Sequence, residues 1–286
     1  MKRKTLLSLA VTAITAAIGV QPLAQAAPAS AKNERYIIQF KPGSASAGKN
    51  AIKAAGGSIK LNLAKHRAVA AVLPAGKLAS LQSNPNVERV ELDARRYPGP
   101  MVRALPSGDD HVTTAEGAAA EVVPYGIEMV QADAYRGNTE SGIKVCVIDS
   151  GYDLGHEDKP GEDVVSGTDD IPGAGPWSED GDGHGTHVSG TINALDNEIG
   201  VIGVFPGAPM HIVRVFGDNG IWAYSSELID ALDVCIANGA KVVNMSLGGD
   251  QPAVLENMAF RKAEKAGVLS IAAAGNDGNT QMSYPA

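Results

Sequence analysis

Hydrophobic and polar positions along residues 34–97 alternate in short runs that predict a small α+β unit. Four runs with the apolar or alternating pattern of strands are separated by turn residues such as Gly56-Gly57. Two segments between these runs, 47–55 and 74–82, have a helical pattern. The order β-α-β-β-α-β is typical of a ferredoxin-like unit. The four predicted strands cover residues 36–40, 59–63, 68–73 and 87–92.

From Val122 onward, longer apolar runs alternate with helical segments. The run Ile143–Ile148 is almost continuously apolar, as in a strand that is buried on both faces of a parallel sheet. Alternating strands and helices predict an open parallel sheet with helices on both faces. Sites in such sheets form beyond the carboxyl ends of strands, where Asp149, Ser246 and Asn276 are found. The other predicted elements are a helix capped by Ser225 or Ser226, strands over 241–245 and 268–272, and a helix over 253–266.

The first 26 residues have the pattern of an export signal. Lys2-Arg3-Lys4 precede an apolar run over 6–20, and Ala24-Gln25-Ala26 forms a small-x-small cleavage site. A membrane anchor is the alternative, but the apolar run is too short for one. We therefore predict a signal peptide over 1–26 and a secreted, extracellular protein with no membrane attachment after cleavage. The Pro- and Gly-rich stretch 99–120 predicts a linker that proteases can reach.

Charge is distributed unevenly along the chain. Residues 1–120 contain 16 Lys+Arg and 7 Asp+Glu, whereas residues 121–286 contain 8 and 25. The basic and the acidic part are therefore expected to attract each other. Because the basic residues are scattered and no recognition motif accompanies them, nucleic-acid binding is not predicted.

The chain has two cysteines, which are too few for a disulfide scaffold. Cys146 lies in a predicted buried strand, and Cys235 lies on the apolar face of a predicted helix. We predict that both are buried free thiols. A single disulfide is the alternative, because the sequence gives no distance between them.

Four segments carry candidate chemistry: Val147–Gly151, Asp182–Gly190, Asn244–Gly249 and Ala272–Gly278. In this order they resemble the subtilisin family of serine proteases (subtilases, peptidase family S8), over residues 122–286. Residues 34–97 resemble the inhibitory propeptide of the same family. The resemblance implies a propeptide domain over 27–98, a processing site in the linker 99–120, and a subtilisin-like catalytic domain over 121–286.

The resemblance assigns catalytic roles to three residues. Asp149 would orient His184 and stabilise its imidazolium form, and His184 would be the general base that takes the proton of a serine. Asn276 would donate its side-chain amide to the oxyanion, as the equivalent asparagine does in subtilisin itself. Taken alone, Asp149 could be a helix cap and Gly275–Gly278 a simple turn. His184 with His187 could be a metal pair, but no third ligand motif is present, and we predict that His187 is a structural residue of a buried helix.

The resemblance also implies substrate-binding residues, which are Ser246, Leu247, Gly248, Gly220, Tyr224 and Ala274. The first three would form an edge that pairs with the extended backbone of a protein or peptide substrate. Gly220 and Tyr224 would lie on the opposite edge. Ala274 would help to line the pocket for the residue before the scissile bond. The small residues of that pocket predict a preference for large apolar side chains.

A structural calcium site is implied by the segment 195–201, which resembles the strong calcium loop of the family. Mixed carboxylate and carbonyl oxygens suit Ca²⁺, and an ordinary acidic turn is the alternative. The implied ligands are Glu121, Asp158, Leu195, Asn197, Ile199 and Val201.

The nucleophilic serine of the family lies in a Gly-Thr-Ser-Met-Ala segment several dozen residues after the asparagine. No such segment occurs in the 286 residues, and Ser150, Ser189 and Ser246 stand in motifs with other roles. The chain by itself is therefore predicted to be inactive. In one hypothesis it is an incomplete part of a self-inhibited serine endopeptidase precursor. In the other it is a truncated, non-catalytic protein whose propeptide inhibits or chaperones a protease in trans, but the intact trio of catalytic candidates favours the first.

Overall fold

The computed structural model describes residues 33–99, 121–135, 142–169, 171, 173–218 and 222–286. The predicted signal peptide, Gly220 and the linker after Gly99 lie outside the described residues. Within the described ranges, no helix combines the length and the apolar character that crossing a membrane requires.

The N-terminal part of the described chain forms an antiparallel sheet with two helices. Its strands are β1 (Glu34–Phe40), β2 (Ser58–Leu63), β3 (Ala68–Leu73) and β4 (Val87–Leu92), in the order β2-β3-β1-β4. The helices are α1 (Ala45–Ala54) and α2 (Leu78–Gln82). One face buries a small core that includes Phe40, Ile52 and Leu81. Side chains that point to the opposite face of the sheet, such as Ile37 and Leu63, pack with residues of the C-terminal part.

The C-terminal part is built on a parallel sheet, which confirms the predicted α/β class. Among the described residues its strands are β6 (Val145–Asp149), β7 (Val165–Thr168), β8 (Met210–Arg214), β10 (Val242–Met245) and β12 (Leu269–Ala272), in the order β12-β10-β6-β8-β7. Within the described part of the chain, neighbouring strands of this sheet pair in parallel. Its helices are α3 (Tyr125–Met129), α4 (His184–Asn193), α5 (Ser225–Ala237) and α6 (Val254–Lys265).

Strand β6 shows how helices come to cover both faces of this sheet. Its side chains point alternately to two separate apolar clusters. Cys146 and Ile148 pack with residues of α5 and α6 on one face. Val145 and Val147 pack on the other face, against which Val188 of α4 also lies. Because both faces are covered, β6 is apolar from Val145 to Ile148, which explains its continuous run, and only its last residue, Asp149, is charged.

A disulfide joins Cys146 of β6 to Cys235 of α5, so the prediction of free thiols was wrong. The two Cα atoms are 5.7 Å apart, and both side chains are fully buried. The cysteines lie 89 positions apart in sequence, and only the packing of α5 on β6 brings them within bonding distance.

Three short strands form a separate sheet that links the two parts of the chain. Strand β5 (Arg95–Pro98) lies between β9 (Ala223–Tyr224) and β11 (Leu247–Gly248) and is antiparallel to both. The sequence pattern does not predict β5, because it has no apolar alternation of its own. Its place in the fold is fixed by the two edges that it joins.

The N-terminal sheet lies on α5 and α6, and two of its carboxylates cap those helices. Asp93 accepts a hydrogen bond from the Ser226 backbone N–H (2.9 Å). Glu91 accepts from the backbone N–H groups of Val254 (3.0 Å) and Leu255 (2.8 Å). A helix N-terminus has unpaired N–H groups and a partial positive charge, so a carboxylate stabilises it. The predicted Ser225 or Ser226 cap was wrong: the N-cap residue is Tyr224, and Asp93 supplies the capping oxygen.

Candidate active site

Asp149 and His184 meet at the carboxyl end of β6. Asp149 is the last residue of β6, and His184 is the first residue of α4. The His184 Nδ1 atom lies 2.7 Å from Asp149 Oδ1, and the carboxylate is completely buried. A bond at Nδ1 leaves Nε2 as the ring atom that can exchange a proton with a reacting group.

Asp149 changes the acid–base behaviour of His184. Its hydrogen bond and its negative charge raise the pKa of His184 above the ordinary value, although burial opposes this. The carboxylate also accepts a hydrogen bond from the Ser150 backbone N–H at 2.8 Å. The pair therefore stabilises an imidazolium that forms when His184 takes a proton.

Ser150 and Asp180 hold α4 in place, and sequence reasoning assigned no role to Asp180. The Ser150 hydroxyl donates to Asp180 Oδ1 (2.8 Å) and accepts from the Gly185 backbone N–H (2.8 Å). Asp180 also accepts from the backbone N–H of Gly183 (3.0 Å) and of Thr186 (2.7 Å). It thereby satisfies donors at the start of α4. Asp180 lies four residues before His184 in the sequence. This short spacing is the feature from which its role at the start of α4 could have been predicted.

Gly185 is required by the close approach of two backbone segments. A Cβ atom on Gly185 would lie 2.3 Å from the Gly151 carbonyl oxygen. Because backbone atoms cannot rotate away, a side chain here would push α4 from β6 and separate His184 from Asp149.

The backbone of Gly99 lies beside His184, Ser246 and Asn276. The Gly99 N–H donates to the Ser246 carbonyl oxygen at 3.1 Å. The position of a Cβ on Gly99 is 3.4 Å from His184 Nε2 and 3.8 Å from Asn276 Nδ2. Gly99, the residue that follows β5, thus lies close to both the histidine and the asparagine.

The other predicted substrate-binding residues fall at this cleft with two exceptions. Leu247 and Gly248 form β11, which pairs with Pro98 and Tyr97 of β5, and Tyr224 belongs to β9 on the opposite side. Gly220 lies outside the described residues. All three residues 273–275 are exposed, but Ala273 and Gly275 line the cavity beside Gly99 and Ala274 does not.

The predicted calcium ligands come together around the loop 195–201. Glu121 Oε1 accepts from the Asn197 backbone N–H (3.0 Å), and Asp158 Oδ2 accepts from the Val201 N–H (2.9 Å). Leu195 N–H donates to the Asp158 carbonyl (3.1 Å), and Ile199 N–H donates to Asn197 Oδ1 (3.2 Å). The described residues include no group of three or more His, Cys, Asp or Glu side chains suited to a metal.

Two further histidines do not take part in the pair of Asp149 and His184. His187 is exposed on α4, so the prediction that it is a structural residue of a buried helix was wrong. His211 is buried in β8, and its two ring nitrogens lie 2.9 Å from the hydroxyls of Ser166 and Thr168. Burial lowers the pKa of His211 to about 4, which keeps the ring neutral at neutral pH.

The subtilase family model (Peptidase S8) matches residues 140–286, about half of the chain and the half that holds this site. The chain belongs to the subtilase family. This subtilase is 36% identical over 273 residues to subtilisin amylosacchariticus from Bacillus subtilis subsp. amylosacchariticus, a match that covers 92% of the chain and 65% of the relative. It is 44% identical over 169 residues to subtilisin BL from Lederbergia lenta, covering 58% and 61%. The match thus spans less than two thirds of the length of these relatives.

Two solved structures are similar to this subtilase. The psychrophilic subtilisin-like protease Apa1 from the Antarctic psychrotroph Pseudoalteromonas sp. AS-11 has a TM-score of 0.53 and 43% identity, and the match covers 58% of this chain and 38% of that chain. Fervidolysin from Fervidobacterium pennivorans, a keratinolytic enzyme related to subtilisin, has a TM-score of 0.66 and covers 89% and 41%. Since its identity is 23%, that second likeness supports the fold alone.

Proposed function

We propose that this chain is part of a secreted serine endopeptidase precursor of subtilisin type, whose nucleophilic serine is not among these 286 residues. The observation that carries the proposal is the buried pair of Asp149 and His184, 2.7 Å apart, at the carboxyl end of the central strand. Asn276 Nδ2 lies near the same backbone segment, 3.8 Å from the position of a Cβ on Gly99. His184 would be the general base, Asp149 the carboxylate that orients it, and Asn276 the oxyanion donor of the same cleft.

In the proposed reaction, His184 Nε2 removes the proton of the serine hydroxyl while the serine oxygen attacks the scissile carbonyl carbon. Asp149 holds the Nδ1–H and stabilises the imidazolium. Asn276 Nδ2 donates to the oxyanion of the tetrahedral intermediate. His184 then gives its proton to the leaving amine. In the second half of the reaction water attacks the acyl-enzyme, and His184 takes the proton of the water and returns it to the serine oxygen.

The N-terminal part is proposed to be a ferredoxin-like inhibitory propeptide. Its strand β5 takes the place of an extended substrate between β9 and β11, and Gly99 reaches His184. Basic residues on this part also contact acids on the other: Arg35 lies 3.0 Å from Glu227, and His66 lies 3.1 Å from Asp233. Such a segment blocks the cleft until it is removed.

Structural calcium is proposed at the loop 195–201. The fit rests on Asp158, whose Oδ1 atom is buried and has no hydrogen-bond partner. An unpaired buried carboxylate oxygen is costly, and a cation removes that cost. Glu121 and the Asn197 side chain, with the carbonyls of Leu195, Ile199 and Val201, would complete an all-oxygen ligand set that stabilises the loop.

The test is hydrolysis of a denatured protein substrate by the protein expressed from its complete reading frame, measured as release of acid-soluble peptides. His184→Ala and Asp149→Asn are expected to lower the rate by at least about 10³-fold. His187→Ala is the matched control, because it removes an exposed histidine from the same helix, and it should retain activity. A His184→Ala variant as active as His187→Ala contradicts the proposal. A wild-type protein that hydrolyses nothing favours the trans-inhibitor hypothesis.

A further inference from the structure

Strand β5 presents its side chains to two different environments. Arg95 and Tyr97 face outward: the Arg95 guanidinium stacks over the Trp222 ring at 4.1 Å, and Tyr97 is exposed. Arg96 points the other way and is completely buried. Such alternation is normal in a strand, but a fully buried arginine requires a specific partner.

That partner is Glu256 in the first turn of α6. Arg96 Nε donates to Glu256 Oε2 at 3.1 Å, and Arg96 Nη2 donates to Oε1 at 2.7 Å. This is a bidentate guanidinium–carboxylate pair, the geometry that best distinguishes arginine from other side chains. Glu256 is only 2% exposed.

The backbone around the pair leaves room for a guanidinium. Arg96 Nη1 donates to the Arg95 carbonyl oxygen at 2.9 Å. A Cβ on Gly249 would lie 3.1 Å from Arg96 Nη1 and 2.4 Å from the Arg95 oxygen. Gly249 therefore forms one wall, and Glu256 forms the charged floor.

The register of β5 connects this pocket to the reaction. Gly99 lies beside His184, so it occupies the place of the residue whose carbonyl would be attacked. Arg96, three residues earlier, then occupies the place of the fourth residue before the scissile bond. A substrate that enters between β9 and β11 in the same register must put its own fourth side chain over Glu256.

The chemistry of Glu256 restricts what that side chain can be. Burial raises the pKa of Glu256, and the Arg96 guanidinium opposes this by stabilising the carboxylate. When β5 leaves, the acid remains on α6 without its cation. An apolar side chain over it would bury an unpaired polar group, whereas an arginine would restore both hydrogen bonds.

We infer that Glu256 is a specificity-determining residue that selects substrates with arginine at the fourth position before the scissile bond. This inference rests on the proposed endopeptidase function and names the class of sequence that it cleaves. It is independent of the predicted apolar pocket for the residue next to the bond.

The experiment compares two fluorogenic peptides that differ only at the fourth residue before the cleaved bond, which is arginine in one and citrulline in the other. Citrulline has the same shape but a neutral head group. With the processed wild-type protein, kcat/KM should be at least about tenfold higher for arginine. Glu256→Gln should reduce that ratio to less than about threefold. Glu264→Gln is the matched control, because Glu264 is exposed on the same helix, and it should preserve the ratio.

The outcomes separate the two claims. Equal kcat/KM for both peptides with active wild-type protein overturns the role of Glu256 and leaves the endopeptidase function intact. This comparison needs no variant, so it holds even if the Glu256→Gln protein fails to fold. If the wild-type protein cleaves neither peptide, the proposed function fails. The Kd values of the two intact peptides then decide whether the pocket at Glu256 selects arginine. Tighter binding of the arginine peptide then supports the pocket, and equal binding overturns it.

Discussion

Replacing Asp93 should weaken the docking of the N-terminal sheet more than replacing any exposed carboxylate of that sheet. Asp93 is 3% exposed and accepts hydrogen bonds from the Ser226 N–H, the Ser226 hydroxyl (2.7 Å) and the Ser225 hydroxyl (3.2 Å). Its Oδ2 atom also lies 2.8 Å from Arg35 Nε. One side chain thus caps α5 and neutralises a guanidinium whose side chain is 11% exposed.

The magnitude follows from these contacts. Loss of a helix cap costs about 1 kcal/mol. Loss of hydrogen bonds to a charged group such as the Asp93 carboxylate costs about 1.5–3 kcal/mol. The ion pair with Arg35 is lost as well, which leaves Glu227 as the acidic partner of Arg35 among the described residues. Asp93→Ala should therefore lower the free energy of unfolding by about 3 kcal/mol. Asp93→Asn should lose about half of that, since its amide oxygen can still accept from the Ser226 N–H while the charge is gone.

The assay is urea unfolding of the full chain, followed by tryptophan fluorescence. Trp222 stacks on Arg95, so its emission reports the docking of β5. Glu88→Ala is the control, because Glu88 and its partner Arg67 are both 42% exposed and such a pair contributes little. If Asp93→Ala lowers the midpoint no more than Glu88→Ala does, the capping argument is wrong.

Three further predictions concern the C-terminal part. Replacing Cys146 and Cys235 together by Ala should lower the free energy of unfolding by about 4–5 kcal/mol, since a loop of 89 residues is released in the unfolded chain; urea unfolding under non-reducing conditions measures this, and a loss below about 1 kcal/mol contradicts it. His211 has a folded pKa of about 4 against 6.5 unfolded, so the unfolded state binds more protons between these values and stability falls on acidification through that window, by about 3 kcal/mol. His211→Gln should lose less stability between pH 6.5 and 4 than the wild type, and parallel curves would refute the assignment. Chelation should lower the Tm of the wild-type protein, because free calcium at 100 times its Kd stabilises the folded state by about 3 kcal/mol. Asp158→Asn should already be destabilised and should respond less to the chelator. An unchanged wild-type Tm argues against the calcium site.

The regular elements could be predicted from the sequence where one local pattern decides them. Strand β6 is apolar from Val145 to Ile148 because both its faces are covered, and the predicted run 143–148 overlaps the observed strand 145–149. Helix α1 was predicted over 47–55 and is found over 45–54. The same strand-end rule placed Asp149 at the edge of the sheet where His184 meets it, although 35 positions separate them.

Features that depend on distant partners could not be predicted. The start of α5 has serines that look like local caps, yet the capping oxygen comes from Asp93, 133 positions before Ser226. No local apolar pattern surrounds Arg96, and its burial is explained by Glu256, 160 positions later. Cysteine pairing had the same difficulty, because no short-range pattern reports that two elements will pack together.

The bridge between β6 and α5 also determines what happens if the folded chain is cut. The covalent ring that it closes contains both Asp149 and His184, together with the loop 195–201. A single nick at any exposed point inside this ring leaves one connected molecule, since the two new ends remain tied through sulfur. A chain that is cut there once would therefore keep Asp149 and His184 in one covalently connected molecule.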